Sequence, residues 1–287
     1  MSPCGDLAVV IPARNEFDRI GATVRAAAQI PGVDIVVVVD DGSSDGTGSE
    51  AAVAGATVVR HARNRGKAAA METGAEAVRV IESERAAARR ASVGRIEAGG
   101  AAVEGALAGT AGSAVARHRH LLFLDADLAE TAAEAGPLAE PVMAGRADMT
   151  IAVFRTRVKR GGLGLVMGLA GAGIERATGW RPSEPLNGQR CLTRAAFEAA
   201  RPLASGWGAE TGLTIDLLRK GMRIAEVQVP LAHRATGKDL SSQVHRARQL
   251  LGVARALAER QPWQHATARP DSQVAEQHDA ETAAAAP

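Results

Sequence analysis

Residues 7–11 and 35–39 are short, β-branched apolar runs, and the stretch between them, 20–30, has helical spacing closed by Pro31-Gly32. Both runs are apolar throughout rather than alternating, which predicts a β-α-β unit with strands buried on both faces of a parallel sheet. Asp40-Asp41-Gly42-Ser43 then reads as a turn, and Ser44-Asp45-Gly46-Thr47 supplies caps for a helix across 50–53. Residues 56–60 read as a third strand and 66 to about 81 as the next helix; a strand over 120–124 stops at Asp125-Ala126-Asp127. Farther on, helices are expected near 131–144, 163–177, 194–200 and 209–220, and strands near 148–154, 189–193 and 223–229. This alternation predicts an α/β fold: a doubly wound, mostly parallel sheet with helices on both faces and functional loops at the carboxyl ends of its strands.

Residues 82–117 break the alternation. They are rich in Ala, Gly, Arg and Glu, with almost no large apolar side chains to offset their ordering entropy. The first part prolongs the preceding helix to about 92, and 93–116 reads as a flexible insertion. The stretch from 261 onward, ending in alanines, reads as a disordered tail, which leaves 1–260 as a single domain whose halves meet near 155.

Lys+Arg 34 against Asp+Glu 32 gives a formal charge of +2, so no nucleic-acid partner is expected. Aromatic residues are 2% of the chain, with no Tyr, so a bound sugar or base must be held mainly by hydrogen bonds. Two distant cysteines, Cys4 and Cys191, fit a reducing compartment and read as unreactive thiols. No export leader is expected, since the first residues carry no basic cluster, and the apolar stretch 163–174 is broken by glycines and shorter than the roughly 18 residues of a membrane span. A cytoplasmic location with no transmembrane segment is therefore expected.

Three loops carry chemistry. The first, Pro12-Ala13-Arg14-Asn15-Glu16, joins a buried strand to a helix, where open α/β sheets bind nucleotides. The second, Asp40-Asp41-Gly42-Ser43, places two acids at the next strand end. Alone, each reads equally well as ordinary caps and turn formers. The third, Asp125-Ala126-Asp127, follows the apolar 121–124; alternate residues of an extended segment point the same way, so both carboxylates can face one divalent ion and its diphosphate.

In this order, Pro-x-x-Asn-Glu at 12–16, Asp-Asp-Gly-Ser-x-Asp-x-Thr at 40–47, Asn-x-Gly-Lys at 64–67 and Asp-x-Asp at 125–127 resemble the GT-A type nucleotide-sugar glycosyltransferases, the broad family that includes dolichyl-phosphate mannose synthases. The resemblance implies that Pro12, Ala13, Asn15, Glu16, Asp41 and Ser43 surround the nucleoside. It further implies that Lys67 faces the nucleotide, and that Asp125 and Asp127 hold the sugar diphosphate through Mg²⁺ or Mn²⁺. Later segments, 184–190, 206–216 and 232–234, look like glucosyl-3-phosphoglycerate synthase. That likeness implies that Asn187, Gly188 and Glu210 face the acceptor, that Glu210, Asp125 and Lys67 are the catalytic set, and that His233 joins Asp127 on the metal. By residue chemistry alone, Glu210 also suits a helix start and His233 a surface loop.

The implied activity is transfer of a hexose from a nucleoside-diphosphate sugar, UDP-glucose foremost, to a hydroxyl acceptor such as 3-phosphoglycerate or another phosphorylated small molecule. Polyprenyl-phosphate glycosyl transfer from GDP-mannose or UDP-glucose, and a catalytically silent nucleotide-sugar binding module, are the alternatives. A nucleotidyltransferase is disfavoured because the first loop has no glycine. The synthase carries an Arg and a Thr just after its glycine triplet, and 161–166 has neither; an anionic acceptor would then turn to Arg155, Arg157, Lys159 or Arg160. The partners expected are the nucleotide-sugar donor, a small-molecule or lipid-phosphate acceptor, and a second copy of the chain as a homodimer.

Overall fold

The computed structural model describes residues 6–99, 118–154, 164–231 and 240–260, with the backbone alone for 93–99, 164–165, 207 and 240–249. Seven strands form one sheet: β1 (Leu7–Ala13), β2 (Val33–Asp40), β3 (Thr57–Arg60), β4 (His120–Phe123), β5 (Met149–Phe154), β6 (Arg190–Leu192) and β7 (Ile224–Val229). Their order is β3-β2-β1-β4-β6-β5-β7. All pairings are parallel except those of β6, which runs antiparallel to both β4 and β5. The mostly parallel, doubly wound expectation holds, and the order reverses between β1 and β4, where such sheets open a ligand crevice.

Strand alternation assigns side chains to two cores. Ala8, Val10, Val37 and Val39 point to one face, under α3 (Lys67–Gly99), while Val9, Ile11 and Val38 point to the other, under α1 (Phe17–Ala27). β1 and residues 37–39 of β2 thus bury both faces, the reason their sequences are continuously apolar there. Gly74 lets α3 lie directly on the sheet, since a Cβ there would stand 2.3 Å from Val10 Cγ1.

Two expectations are corrected and one further helix is found. The helix expected near 131–144 is a 3₁₀ segment, Ala129–Leu138, followed by a single α-turn at Glu140–Met143. Pro137 supplies no N–H and interrupts the i→i−4 ladder, and Ala139 bonds back three residues to Gly136 O at 3.0 Å. The helix expected to stop near 92 continues to Gly99, into the segment read as an insertion; residues 100–117 lie outside the described residues, as does the tail from 261. Finally, a helix absent from the sequence reading spans Leu240–Glu259 and buries Val253, Ala256 and Leu257. It packs where glycines make room: a Cβ at Gly208 would stand 2.4 Å from Ala256 Cβ, and one at Gly173 would stand 2.5 Å from Leu257.

Among the described residues, no helix is long and apolar enough to cross a membrane. Cys191 is buried, and burial pushes its thiol pKa up, in keeping with an unreactive group; Cys4 lies outside the described residues.

Candidate active site

The loops after β1 and β2 lock together through the residues singled out by sequence. Asn15 adopts φ 54°, a left-handed conformation that Asn tolerates better than most residues. Its N–H donates to Ser43 Oγ at 3.0 Å and its Oδ1 accepts from Ser44 N at 3.0 Å. The free N–H groups opening α1 are satisfied from the neighbouring loop: Glu16 N donates to Thr47 Oγ1 at 2.9 Å and Phe17 N to Asp45 Oδ2 at 3.2 Å. Pro12 and Ala13 end β1, and Ala13 O accepts from Asp41 N at 2.9 Å.

Asp40 and Asp41 are both buried, with different partners. Asp40 Oδ1 accepts from Ser43 N at 2.8 Å and closes the turn. Asp41 reaches the loop after β3: Oδ1 meets His61 Nδ1 at 2.7 Å and Arg65 N at 2.8 Å, and Oδ2 accepts from Gly66 N at 2.8 Å. Burial by itself would raise the Asp41 pKa, but these bonds hold the carboxyl below its usual range. Gly42 must be glycine: φ is +74°, and a Cβ would stand 2.8 Å from the backbone at Arg63 and Asn64. Through Asp41 this turn ties the segment of Gly66 and Lys67 to the end of β2.

Lys67, at the start of α3, is the hub. Its Nζ lies 2.7 Å from Asp125 Oδ1 and 3.1 Å from Glu210 Oε1. Burial would lower the ammonium pKa, but the two carboxylates outweigh burial and raise it, so Lys67 stays charged. Glu210 sits in the first turn of a helix spanning Ala209–Arg219, only 6% exposed. Gln189 donates from Nε2 to Asp125 Oδ2 at 2.6 Å, on the carboxylate oxygen opposite Lys67. Gly188 lies against the same pair, where a Cβ would be 2.1 Å from Lys67 Nζ. Asn187 is buried; it donates to Ala152 O at 2.7 Å and accepts from Gln189 N at 2.9 Å, fixing the loop.

Lys67, Asp125, Gly188 and Glu210 therefore meet from four separate chain segments: the start of α3, the loop after β4, the loop before β6 and the first turn of the Ala209–Arg219 helix, with Asn187 bracing the third of these. β4 ends at Phe123 and residues 126–127 form a turn, so the extended alternation assumed for Asp125 and Asp127 does not apply. Asp127 is half-buried in that turn; His233 and the basic residues 155–160 lie outside the described residues. Among the described residues, no three His, Cys, Asp or Glu side chains are placed to hold a metal ion. The sequence reading missed Gln189, Arg190, His61 and Thr23. Thr23, fully buried on α1, donates to Ala126 O at 2.8 Å and accepts from Ala129 N at 2.8 Å, pinning the Asp125–Asp127 loop. A charge in the middle of the strand expected over 189–193 was a usable signal for Arg190; nothing local marks Thr23.

Residues 8–80 match the model of glycosyl transferase family 2. Over 69 residues the chain is 44% identical to an uncharacterized protein of Methanocaldococcus jannaschii; the match covers 24% of this chain and 28% of that relative, so the chain spans little more than a quarter of its length. Glucosyl-3-phosphoglycerate synthase from Mycobacterium tuberculosis, solved with Mn²⁺, UDP and glucosyl-3-phosphoglycerate, superimposes with a TM-score of 0.58 at 22% identity, covering 89% of this chain and 80% of that one. The same enzyme with Mg²⁺ and UDP gives 0.59 at 22% identity, covering 89% and 79%. Mannosyl-3-phosphoglycerate synthase from Rubrobacter xylanophilus gives 0.60 at 22% identity, covering 88% and 73%. The fold is the GT-A type, as the order of motifs led us to expect.

Proposed function

We propose that this chain is a metal-dependent glycosyltransferase that moves a hexose from a nucleoside-diphosphate sugar, UDP-glucose foremost, to the hydroxyl of a phosphorylated small molecule such as 3-phosphoglycerate. The observation that carries the proposal is the convergence of Lys67, Asp125 and Glu210 at the carboxyl edge of the sheet, beside the paired loops 12–16 and 40–47. The family-model match over 8–80 and the phosphoglycerate-directed solved neighbours support it.

In this reading, the loops from Pro12, Ala13, Asn15, Glu16, Asp41 and Ser43 form the nucleoside side of the crevice. Lys67, kept charged by Asp125 and Glu210, is a fixed cation that stabilises negative charge as it develops on the leaving diphosphate. Asp125, held between Lys67 and Gln189, is oriented in advance to accept hydrogen bonds from the donor sugar. Asn187, Gly188 and Glu210 border the acceptor side. The chain offers Asp127 and His233 to a divalent ion, a set of one carboxylate and one imidazole that suits Mn²⁺ or Mg²⁺ completing its shell on the diphosphate. When bound, the ion neutralises diphosphate charge.

The test is a donor-by-acceptor screen that follows released UDP or GDP, with Asp127→Asn and His233→Ala alongside the parent. Acceptor-dependent UDP release that needs Mn²⁺ or Mg²⁺ and is lost in Asp127→Asn is the expected result. Nucleotide binding with no acceptor-dependent release from any donor would refute transfer and leave a binding module; preference for GDP-mannose with a polyprenyl phosphate would replace the substrate assignment.

A further inference from the structure

Arg190 lies inside the sheet. It is paired with Phe123 of β4 and Ile151 of β5 and is 0% exposed. Its guanidinium is spent on neutral oxygens from two segments. From the 185–189 loop, Asn187 O accepts from Nε at 2.8 Å and Pro185 O from Nη2 at 3.1 Å; from the helix opening at Ala209, Glu210 O and Thr214 Oγ1 accept from Nη1 at 3.2 and 2.8 Å. Thr214 Oγ1 donates in turn to Glu210 O at 2.8 Å. Burial pushes the Arg190 pKa down to about 10, against the charges of Glu210 and Glu226.

Desolvating a guanidinium costs several kcal/mol, and an apolar side chain in a sheet interior avoids that cost. What the charge gives in return is a rigid fork that no other side chain supplies: planar, with donors aimed in several directions at once. The two segments it joins present the groups around Lys67, namely Gly188 beneath the ammonium, Gln189 on Asp125, and Glu210 on Lys67.

We propose that Arg190 is a positioning residue, coupling the 185–189 loop to the first turn of the Glu210 helix so that Gln189 and Glu210 meet the Lys67–Asp125 pair in a single arrangement. The turnover part of this inference rests on the transferase reading above; the coupling itself does not.

The experiment compares the full-length parent with Arg190→Lys, which keeps the charge but loses the fork, by hydrogen exchange and by steady-state kinetics normalised to donor-binding sites. Amide exchange should speed up in residues 186–190 and 209–212 together and stay at parent rates elsewhere. Turnover per site should fall on the order of 100-fold, the effect of misplacing reacting groups by about 1 Å, with donor Kd within about threefold of the parent. Parent exchange in both segments, faster exchange across the whole chain, or a donor affinity lost in step with turnover would each overturn the proposal. If Arg190→Lys does not fold, the near-isosteric Thr214→Val removes one acceptor of the fork and should speed exchange in the same two segments, to a lesser degree; no change there would also overturn the proposal. A parent that transfers to no acceptor would refute the function and leave the exchange arm to decide the coupling.

Discussion

Gly188→Ala separates stability from activity at this site. A Cβ at 188 would lie 2.1 Å from Lys67 Nζ and 2.9 Å from Asp125 Oδ1. Because Gly188 is not among the residues with positive φ, alanine introduces no backbone strain, and the conflict falls on the tip of a flexible lysine. The ammonium must retreat by on the order of 1 Å, which breaks the 2.7 Å contact to Asp125 and the 3.1 Å contact to Glu210. The Lys67 and Asp125 side chains are 26% and 29% exposed, so solvent screens that pair, whereas the Glu210 side chain is only 7% exposed and loses a less screened contact. A cost of about 1–3 kcal/mol follows, lowering Tm by about 2–10 °C in a domain of this size. Turnover faces a larger loss. Removing one preorganised group that stabilises developing charge costs about 10²–10³ in kcat. Scanning calorimetry and acceptor-dependent UDP release measure the two sides. Lys67→Met in the Gly188→Ala background should then add little, since both changes act on the same cation. Turnover within about threefold of the parent would refute the assignment of Lys67, and a Tm loss above about 10 °C would show that Gly188 supports the fold instead.

Other consequences can be checked independently. Thr23→Val should strand Ala126 O and Ala129 N, destabilising the protein by about 1–3 kcal/mol in urea titration and weakening donor affinity through the Asp125–Asp127 loop. Burial would raise the Asp34 pKa, but Arg119 and Arg85 hold the carboxyl below its ordinary range. Its stabilising effect, about 1 kcal/mol after screening, is therefore complete above the unfolded value of about 3.9 and lost as pH falls through the lower folded value. Asp34→Asn should flatten that acid limb in denaturation curves taken between about pH 5 and 2. Cys191 should resist thiol reagents in the native protein and react only on unfolding, as followed by absorbance under increasing urea.

The β-α-β alternation and the order of the loop motifs were written in the sequence because they rest on local rules. A strand buried on both faces must be apolar residue after residue, as at Val9 to Ile11, and a tight turn needs its Gly42 wherever the rest of the chain goes. The same locality explains the misreading at Ala129–Leu138, where Pro137 breaks the helical hydrogen-bond ladder. Strand order belongs to a different class of information. That β6 enters antiparallel between β4 and β5 appears in no stretch of sequence, yet it brings Gly188 and Gln189 to Asp125. Lys67 and Gln189 meet the two oxygens of that carboxylate from 58 and 64 residues away. Pattern and propensity specified the elements and the candidate chemistry; the sheet decided which groups meet, because contacts at such separations are set by how strands pair and not by what any segment prefers alone.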